Sequence, residues 1–322
     1  MYRYAYALLI LALLVAGLAG CSPAPGAVAT APTPGPDSPP TAPTAAAFPV
    51  TIVDDGGTEV ALLAEPQTIV SLTPSHTEIL FALGLGDRVV GVTTFCDYPE
   101  EALAKEKVGS FVDIDLEKVV GLSPDLIFGT SLHSQGVAPA LRERGLTVLL
   151  LEATNVETTL TEILTIGRAT GRLAEAEALV LGIQARLDEV AAMVDHAGRR
   201  PRVFWELDPM LYTAGKDSFV DGLITLAGGE NVGTRLEGEW PQFNLEALIE
   251  ADPEVIVLAD HGFGASAETV KARPGWSGLA AVRDGRIVEV EDVNLVSRPG
   301  PRVAEAVEYI ARQLHPELFQ GN

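Results

Sequence analysis

Apolar residues along this chain fall into short runs bounded by turn residues, alternating with stretches where they recur three and four positions apart. That is the pattern of strands alternating with helices. Residues 48–63 alternate on either side of Asp55, Gly56 and Gly57 and predict a hairpin. Beyond it, 68–72 predicts a buried strand, and 75–78 (SHTE) is a capping-box pattern opening a helix whose apolar stripe of Ile79, Leu80 and Leu83 ends at Gly84 and Gly86. Further strands are predicted at 89–93, 126–128 and 148–151, with helical stretches near 116–122 and 139–144. The second half repeats the scheme, with strands near 203–207, 255–258 and 287–290 and helices near 218–227, 245–250 and 303–314. Such alternation favours largely parallel sheets, here two similar α/β lobes. Between them, 173–194 lacks proline, and Leu173, Ala176, Val180, Ile183, Leu187, Val190 and Val194 keep helical spacing until Gly198 provides a stop. One helix of about 25 residues, about 37 Å long, reads as a strut rather than a hinge.

The N-terminal end departs from this pattern. Arg3 is followed by an uncharged apolar run, 7–19, too short to span a bilayer and of the length of a secretory signal. It ends in Leu18, Ala19, Gly20 and Cys21, which resembles a lipobox, so cleavage after residue 20 and acylation of Cys21 are expected. Residues 21–47 are almost entirely Pro, Ala, Thr, Gly and Ser, a composition that buries too little apolar area to order itself and that forms a tether. The expected divisions are therefore 1–20 signal peptide, 21–47 tether, 48–171 first lobe, 172–198 connecting helix and 199–322 second lobe. The location is extracytoplasmic, with a lipid anchor on the periplasmic or outer face of a cell membrane. Lys plus Arg number 22 against 44 Asp plus Glu, a net charge of −22 with no basic run, so nucleic acid is not an expected partner. Cys96 is the one cysteine of the folded part, and no intramolecular disulfide is available to it.

An internal repeat is the most informative feature. Residues 115–128 (DLEKVVGLSPDLIF) match 244–257 (NLEALIEADPEVIV) at Leu116/Leu245, Glu117/Glu246, Pro124/Pro253 and Ile127/Ile256, at constant offset. Each segment reads as cap, helix, Pro-containing turn and strand, with Asp115 and Asn244 as caps. A first-turn glutamate suits the helix dipole without any further role. Two at equivalent places on similar lobes also make a two-pronged acidic feature suited to a two-fold protein partner.

Reactive side chains are sparse. His76 beside the first helix cap and His133 after a strand end stand at plausible cleft positions and are candidate haem or iron ligands. His196, His261 and His315 read as a helix C-terminal cation, a loop residue and a packing residue. The sequence contains no HExxH, G-x-S-x-G, P-loop or Cys-x-x-Cys, and Gly84 and Gly86 follow a helix rather than a strand. Asp54, Asp55, Asp113 and Asp115 fit a hairpin turn and a helix cap. No resident cofactor or metal is expected, and a membrane-anchored enzyme acting on a small metabolite is the alternative of another class.

The runs 69–84 (IVSLTPSHTEILFALG), 91–99 (GVTTFCDYP), 212–219 (YTAGKDSF), 227–232 (AGGENV), 240–246 (WPQFNLE) and 298–302 (RPGPR) together resemble the cobalamin and siderophore class of ABC-importer substrate-binding proteins, periplasmic binding type III, over roughly residues 50–318. The resemblance implies two Rossmann-like lobes joined by a single long rigid helix, a ligand cleft between them, little hinge closure and no enzymatic activity. It implies a monomer that captures a corrinoid, cobalamin or cobinamide, and delivers it to an ABC permease dimer with its ATPase subunits. A ferric siderophore or haem is the alternative cargo. By the same matching, Phe95, Phe111, Thr130, Leu207, Tyr212 and Trp240 fall at ligand-facing positions, and Asn294 and Arg298 on a late loop that hydrogen-bonds ligand edges. Arg298 fits an ion pair between lobes equally well. Glu117 and Glu246 match the two glutamates that pair with permease arginines.

Overall fold

Two parallel sheets organise the computed structural model, which describes residues 48–319. The expected signal peptide, Cys21 and the tether lie outside these residues. An antiparallel hairpin of β1 (Val50–Val53) and β2 (Glu59–Leu62) comes first. The first sheet follows, with β3 (Ile69–Ser71), β4 (Val89–Val92), β5 (Glu106–Lys107), β6 (Leu126–Gly129) and β7 (Val148–Leu150) in the order β5-β4-β3-β6-β7. Helices α1 (Pro74–Ala82), α2 (Leu116–Gly121) and α3 (Val137–Glu143) connect its strands. β3, β6 and β7 are buried throughout, as expected of parallel strands covered on both faces.

Two helices in succession, α4 (Val156–Thr170) and α5 (Leu173–Asp195), separate β7 from the second sheet. The helix predicted over 173–194 is α5, which packs against α4 and against α11 (Val303–Leu314), so the connection between the sheets is a helix pair rather than the single helix expected. α4 goes beyond the elements read from the pattern. Asn155 caps it, accepting a hydrogen bond from Thr158 N–H at 2.9 Å, and Gly171 ends it in the left-handed conformation (φ 73). The second sheet has β8 (Arg202–Glu206), β9 (Glu230–Asn231), β10 (Val255–Leu258) and β11 (Ile287–Glu289) in the order β11-β10-β8-β9. With it go α6 (Phe219–Leu226), α7 (Leu245–Ala251), α8 (Ala267–Lys271), α9 (Ala280–Arg283) and α10 (Val293–Ser297).

One apolar cluster runs through both lobes. Ile79, Phe128 and Leu149 of the first lobe, Ile163, Ile166, Ile183 and Leu187 of α4 and α5, and Trp205, Leu223 and Val307 of the second lobe belong to the same buried set. Each sheet has a separate cluster as well, around Val70, Ile127 and Leu141 in the first lobe and around Phe204, Leu248 and Trp276 in the second.

The repeat is realised in three dimensions. Asp115 and Asn244 cap α2 and α7, accepting from Lys118 N–H at 3.0 Å and Ala247 N–H at 2.8 Å. Just past each helix a non-glycine residue takes positive φ, Ser123 at 49° and Asp252 at 41°, directly before the matched prolines. The carboxylate after each proline then ties down the start of a central strand. Asp125 accepts from the Gln67 and Thr68 N–H groups, and Glu254 from Arg202 N–H. Burial alone would raise the Asp125 pKa, and these backbone hydrogen bonds bring it below its ordinary value.

The helix start near residue 75 differs from expectation. Thr73 is the cap, accepting from His76 N–H, and Pro74 occupies the first helical turn, so Glu78 is not a capping carboxylate. It is buried, with consequences at the site. Among the described residues no helix is long and apolar enough to cross a membrane.

Candidate functional site

The first-lobe residues that build the site stand at the C-terminal ends of parallel strands, where the chain turns outward and backbone groups face a crevice. Thr73, Pro74, Ser75 and His76 follow β3, Phe95 follows β4, Thr130 follows β6, and Glu152 and Ala153 follow β7. Phe111, Glu162 of α4, and Asn294, Ser297, Arg298 and Pro299 from the second lobe complete a cavity of about 350 Å³. Of the residues expected from the sequence, Phe95, Phe111, Thr130, Asn294, Arg298 and the candidate His76 thus share one cavity drawn from both lobes.

Leu207, Tyr212 and Trp240 do not line it. They are grouped on a loop pair of the second lobe. Leu207 N–H bonds to the Tyr212 carbonyl at 3.0 Å, Thr213 N–H to Pro241 at 2.9 Å and Gly215 N–H to Glu239 at 2.8 Å. Leu207 packs partly buried against the shared core, whereas Tyr212 and Trp240 are exposed. Gly215 permits the close approach, since a Cβ there would stand 2.0 Å from the Gly238 carbonyl oxygen.

Arg298 joins the lobes. Its Nη1 lies 3.1 Å from Glu78 Oε1 and 2.6 Å from Asp97 Oδ1, and its Nη2 donates to the Phe95 carbonyl at 3.1 Å. Arg302 binds the same Glu78 through Nε at 2.9 Å and Nη2 at 3.0 Å, and reaches Asp292 at 3.3 Å. Asn294 Nδ2 donates to Asp97 Oδ2 at 3.2 Å. Burial would raise the Asp97 pKa, but the hydrogen bond and charge of Arg298 more than reverse this and hold the carboxyl below its ordinary range. The sequence places Arg298 here but gives no sign of Glu78 or Arg302 as its companions, because the partners lie more than 200 residues apart.

His76 and Glu162 form the inner wall. His76 Nε2 lies 3.0 Å from Glu162 Oε1, and both side chains are at most 4% exposed. The groups are not aligned as a hydrogen bond, so both His76 ring nitrogens and Glu162 Oε1 are buried without a hydrogen-bond partner among the described residues. Such atoms are uncommon and call for a cause. His133 packs edge-on against Phe111 with ring centres 6.0 Å apart, and its Nδ1 accepts from Thr130 N–H at 3.0 Å. Burial pulls the His133 pKa below its ordinary value, with the backbones of Phe111 and Thr130 opposing and the neighbouring His76 assisting. Glu162 went unseen in the sequence because α4 did. The signal was the Asn155–Thr158 cap and apolar Val156, Ile163 and Ile166 at helical spacing.

Cys96 is free and buried, with Thr77 Oγ1 at 3.1 Å and Thr93 Oγ1 at 3.2 Å from its sulfur. Among the described residues no group of three or more His, Cys, Asp and Glu is placed to hold a metal ion. Glu117 and Glu246 stand in the first turns of α2 and α7, both exposed, with Arg144 Nη2 3.7 Å from Glu117.

Comparison with known proteins adds three relatives to this geometry. A family model described as periplasmic binding protein matches residues 69–293. An uncharacterised ABC transporter substrate-binding lipoprotein of Bacillus subtilis, YvrC, is 38% identical over 281 residues, 85% of this chain and 88% of the relative. A cobalamin-binding protein of Halobacterium salinarum is 32% identical over 280 residues, 84% of this chain and 75% of the relative. Among solved structures, a periplasmic heme-binding protein of Pseudomonas aeruginosa aligns with a TM-score of 0.69 and 28% identity, covering 78% of this chain and 93% of that one.

Proposed function

The chain belongs to the periplasmic binding protein family, and from that premise we propose that it captures a corrinoid in the inter-lobe cavity and delivers it to an ABC importer. It is a transport component and not an enzyme. The observation that carries the corrinoid reading is the 32% identity to a cobalamin-binding protein across 84% of the chain. The cavity supports it. Phe95 and Phe111 offer flat apolar faces to a macrocycle, while Thr130, Asn294 and Arg298 supply a few fixed polar groups. Tyr212 and Trp240 are contacts for any part of the ligand that stands outside the cavity.

Delivery rests on Glu117 and Glu246. Matched caps, matched positive-φ residues and matched strand ties put the two carboxylates at equivalent places on equivalent lobes. A two-fold permease presenting a basic group at each site would read that spacing. Exposed pairs contribute only about 0–1 kcal/mol each, but they set register and speed encounter. Acylation at Cys21 would keep the monomeric receptor on the membrane that carries the importer, and the lipoprotein relative supports this.

Isothermal titration of the full chain with cyanocobalamin, cobinamide, a ferric hydroxamate and haemin tests the reading. Sub-micromolar one-to-one binding of a corrinoid is expected. Preference for haemin or the ferric chelate would overturn the corrinoid assignment.

A further inference from the structure

Sharing Glu152 and Glu162 with the cavity is a second, smaller space, an annex of about 110 Å³, and every polar side chain that lines it accepts hydrogen bonds. Three are carboxylates, those of Asp55, Glu152 and Glu162. The other three are hydroxyls of α4 whose protons are already engaged. Thr158 donates to the Asn155 carbonyl at 3.0 Å, Thr161 to Glu157 at 3.1 Å and Thr165 to Thr161 at 2.9 Å. Two nearby backbone donors are engaged too. Ser131 N–H bonds to Glu152 Oε2 at 2.8 Å and Glu152 N–H to Asp55 Oδ2 at 2.6 Å. Glu162 lines both spaces, is nine-tenths buried, and its Oε1, 3.0 Å from His76 Nε2 but not aligned with it, has no hydrogen-bond partner among the described residues. In the main cavity the one lining guanidinium, Arg298, is already matched by Glu78 and Asp97.

We propose that Glu152 and Glu162 form a donor-reading subsite, which accepts the –NH2 group of a ligand carboxamide and rejects a carboxylate in its place. The proposal rests on the corrinoid reading and adds to it the feature of the ligand that is read. A carboxylate side chain accepts but never donates, so two of them facing one space pair with an amide –NH2 or an ammonium. A ligand carboxylate meets like charge in this wall, where the neighbouring ring donor, His76, already stands against Glu162 with Nε2 3.0 Å from Oε1, which is selection by repulsion as well as by attraction. Amidated macrocycles are therefore retained, and macrocycles edged with free carboxylates, haem among them, are turned away.

The test uses two probes with the same ring and metal. Cobinamide carries carboxamide side chains, and cobyrinic acid carries carboxylates at those places. Titration of the full chain at neutral pH is expected to give at least tenfold tighter binding of cobinamide. Glu162→Gln and Glu152→Gln each supply an –NH2 donor in place of a carboxylate oxygen and are expected to narrow that ratio at least threefold, mainly by strengthening binding of the acid. Glu152 is only half-buried, so its variant serves where Glu162→Gln melts early. Equal affinity for the two probes, or a ratio that both variants leave unchanged, overturns the subsite and leaves the corrinoid receptor standing. Binding of neither probe overturns the corrinoid reading and the subsite together.

Discussion

Replacing Glu78 by Gln is expected to weaken the whole molecule, because this one carboxylate holds two arginines of the other lobe. The Glu78 side chain is 1% exposed and accepts from Arg298 at 3.1 Å and from Arg302 at 2.9 and 3.0 Å. Glutamine keeps the shape and removes the charge, leaving two largely buried guanidinium groups with Asp97 and Asp292 as their remaining anions. Breaking one side of a buried ion pair costs about 3–5 kcal/mol, and the surviving partners place this case near about 3. At about 2–4 °C per kcal/mol for a chain of this size, the melting temperature should fall by about 6–12 °C. Asp97→Asn, at the half-exposed rim, removes a screened charge and should cost no more than about 1 kcal/mol. Urea unfolding and calorimetry of both variants check this. A Glu78→Gln shift of less than about 2 °C, or one no larger than that of Asp97→Asn, would refute the assignment of Glu78 as the anchor between lobes.

Glu117→Ala combined with Glu246→Ala should leave corrinoid affinity and, within about 1 kcal/mol, stability unchanged while abolishing uptake through the cognate permease; normal uptake would remove the docking role. Gly215→Ala forces a Cβ toward the Gly238 carbonyl 2.0 Å away, so a loss of about 1–3 kcal/mol and altered Tyr212 and Trp240 fluorescence are expected, and a silent variant would contradict the tight loop pairing. Glu206 is fully buried against Arg273 at 2.6 and 2.7 Å, and burial raises its pKa, with Asp260 adding and Arg273 opposing; burial raises Asp260 likewise. A raised folded-state pKa gives stability that is complete below the unfolded values of 4.5 and 3.8 and is lost as pH rises through the folded values. Asp260→Asn should therefore gain melting temperature relative to the parent as pH rises above 3.8; a difference constant from pH 4 to 7 would refute the coupling.

The strands of three or more residues, the two lobes, the repeat and its two glutamates were legible in the sequence, because each is written in local spacing, whereas the two-residue β5 and β9 were not. Caps, a proline turn and a buried apolar run fix α2 with β6 and α7 with β10 wherever the rest of the chain goes. What local spacing cannot carry is the meeting of distant segments. Glu78 satisfies a capping pattern three residues after Ser75, yet the chain starts the helix at Thr73 and Pro74 and spends the glutamate on arginines 220 and 224 positions away. Phe95, Phe111 and Thr130 share a cavity with Asn294 and Arg298, while Leu207, Tyr212 and Trp240 do not, and that distinction depends on how the lobes face each other. Glu162 lies on the one long helix the pattern reading passed over, and with it the acceptor-lined annex.

The apolar cluster that passes unbroken from the first sheet through α4 and α5 to the second has a consequence for timing. Lobes that share a core cannot swing apart without wetting it, so opening is costly and is not expected to gate ligand entry. The observed association rate should then rise in proportion to ligand concentration without reaching a plateau, since no conformational step is available to become limiting. Residence time is left to the contacts within the cavity. A receptor held together in this way would keep its cargo for as long as those contacts last, and release at an importer would need work supplied by the partner.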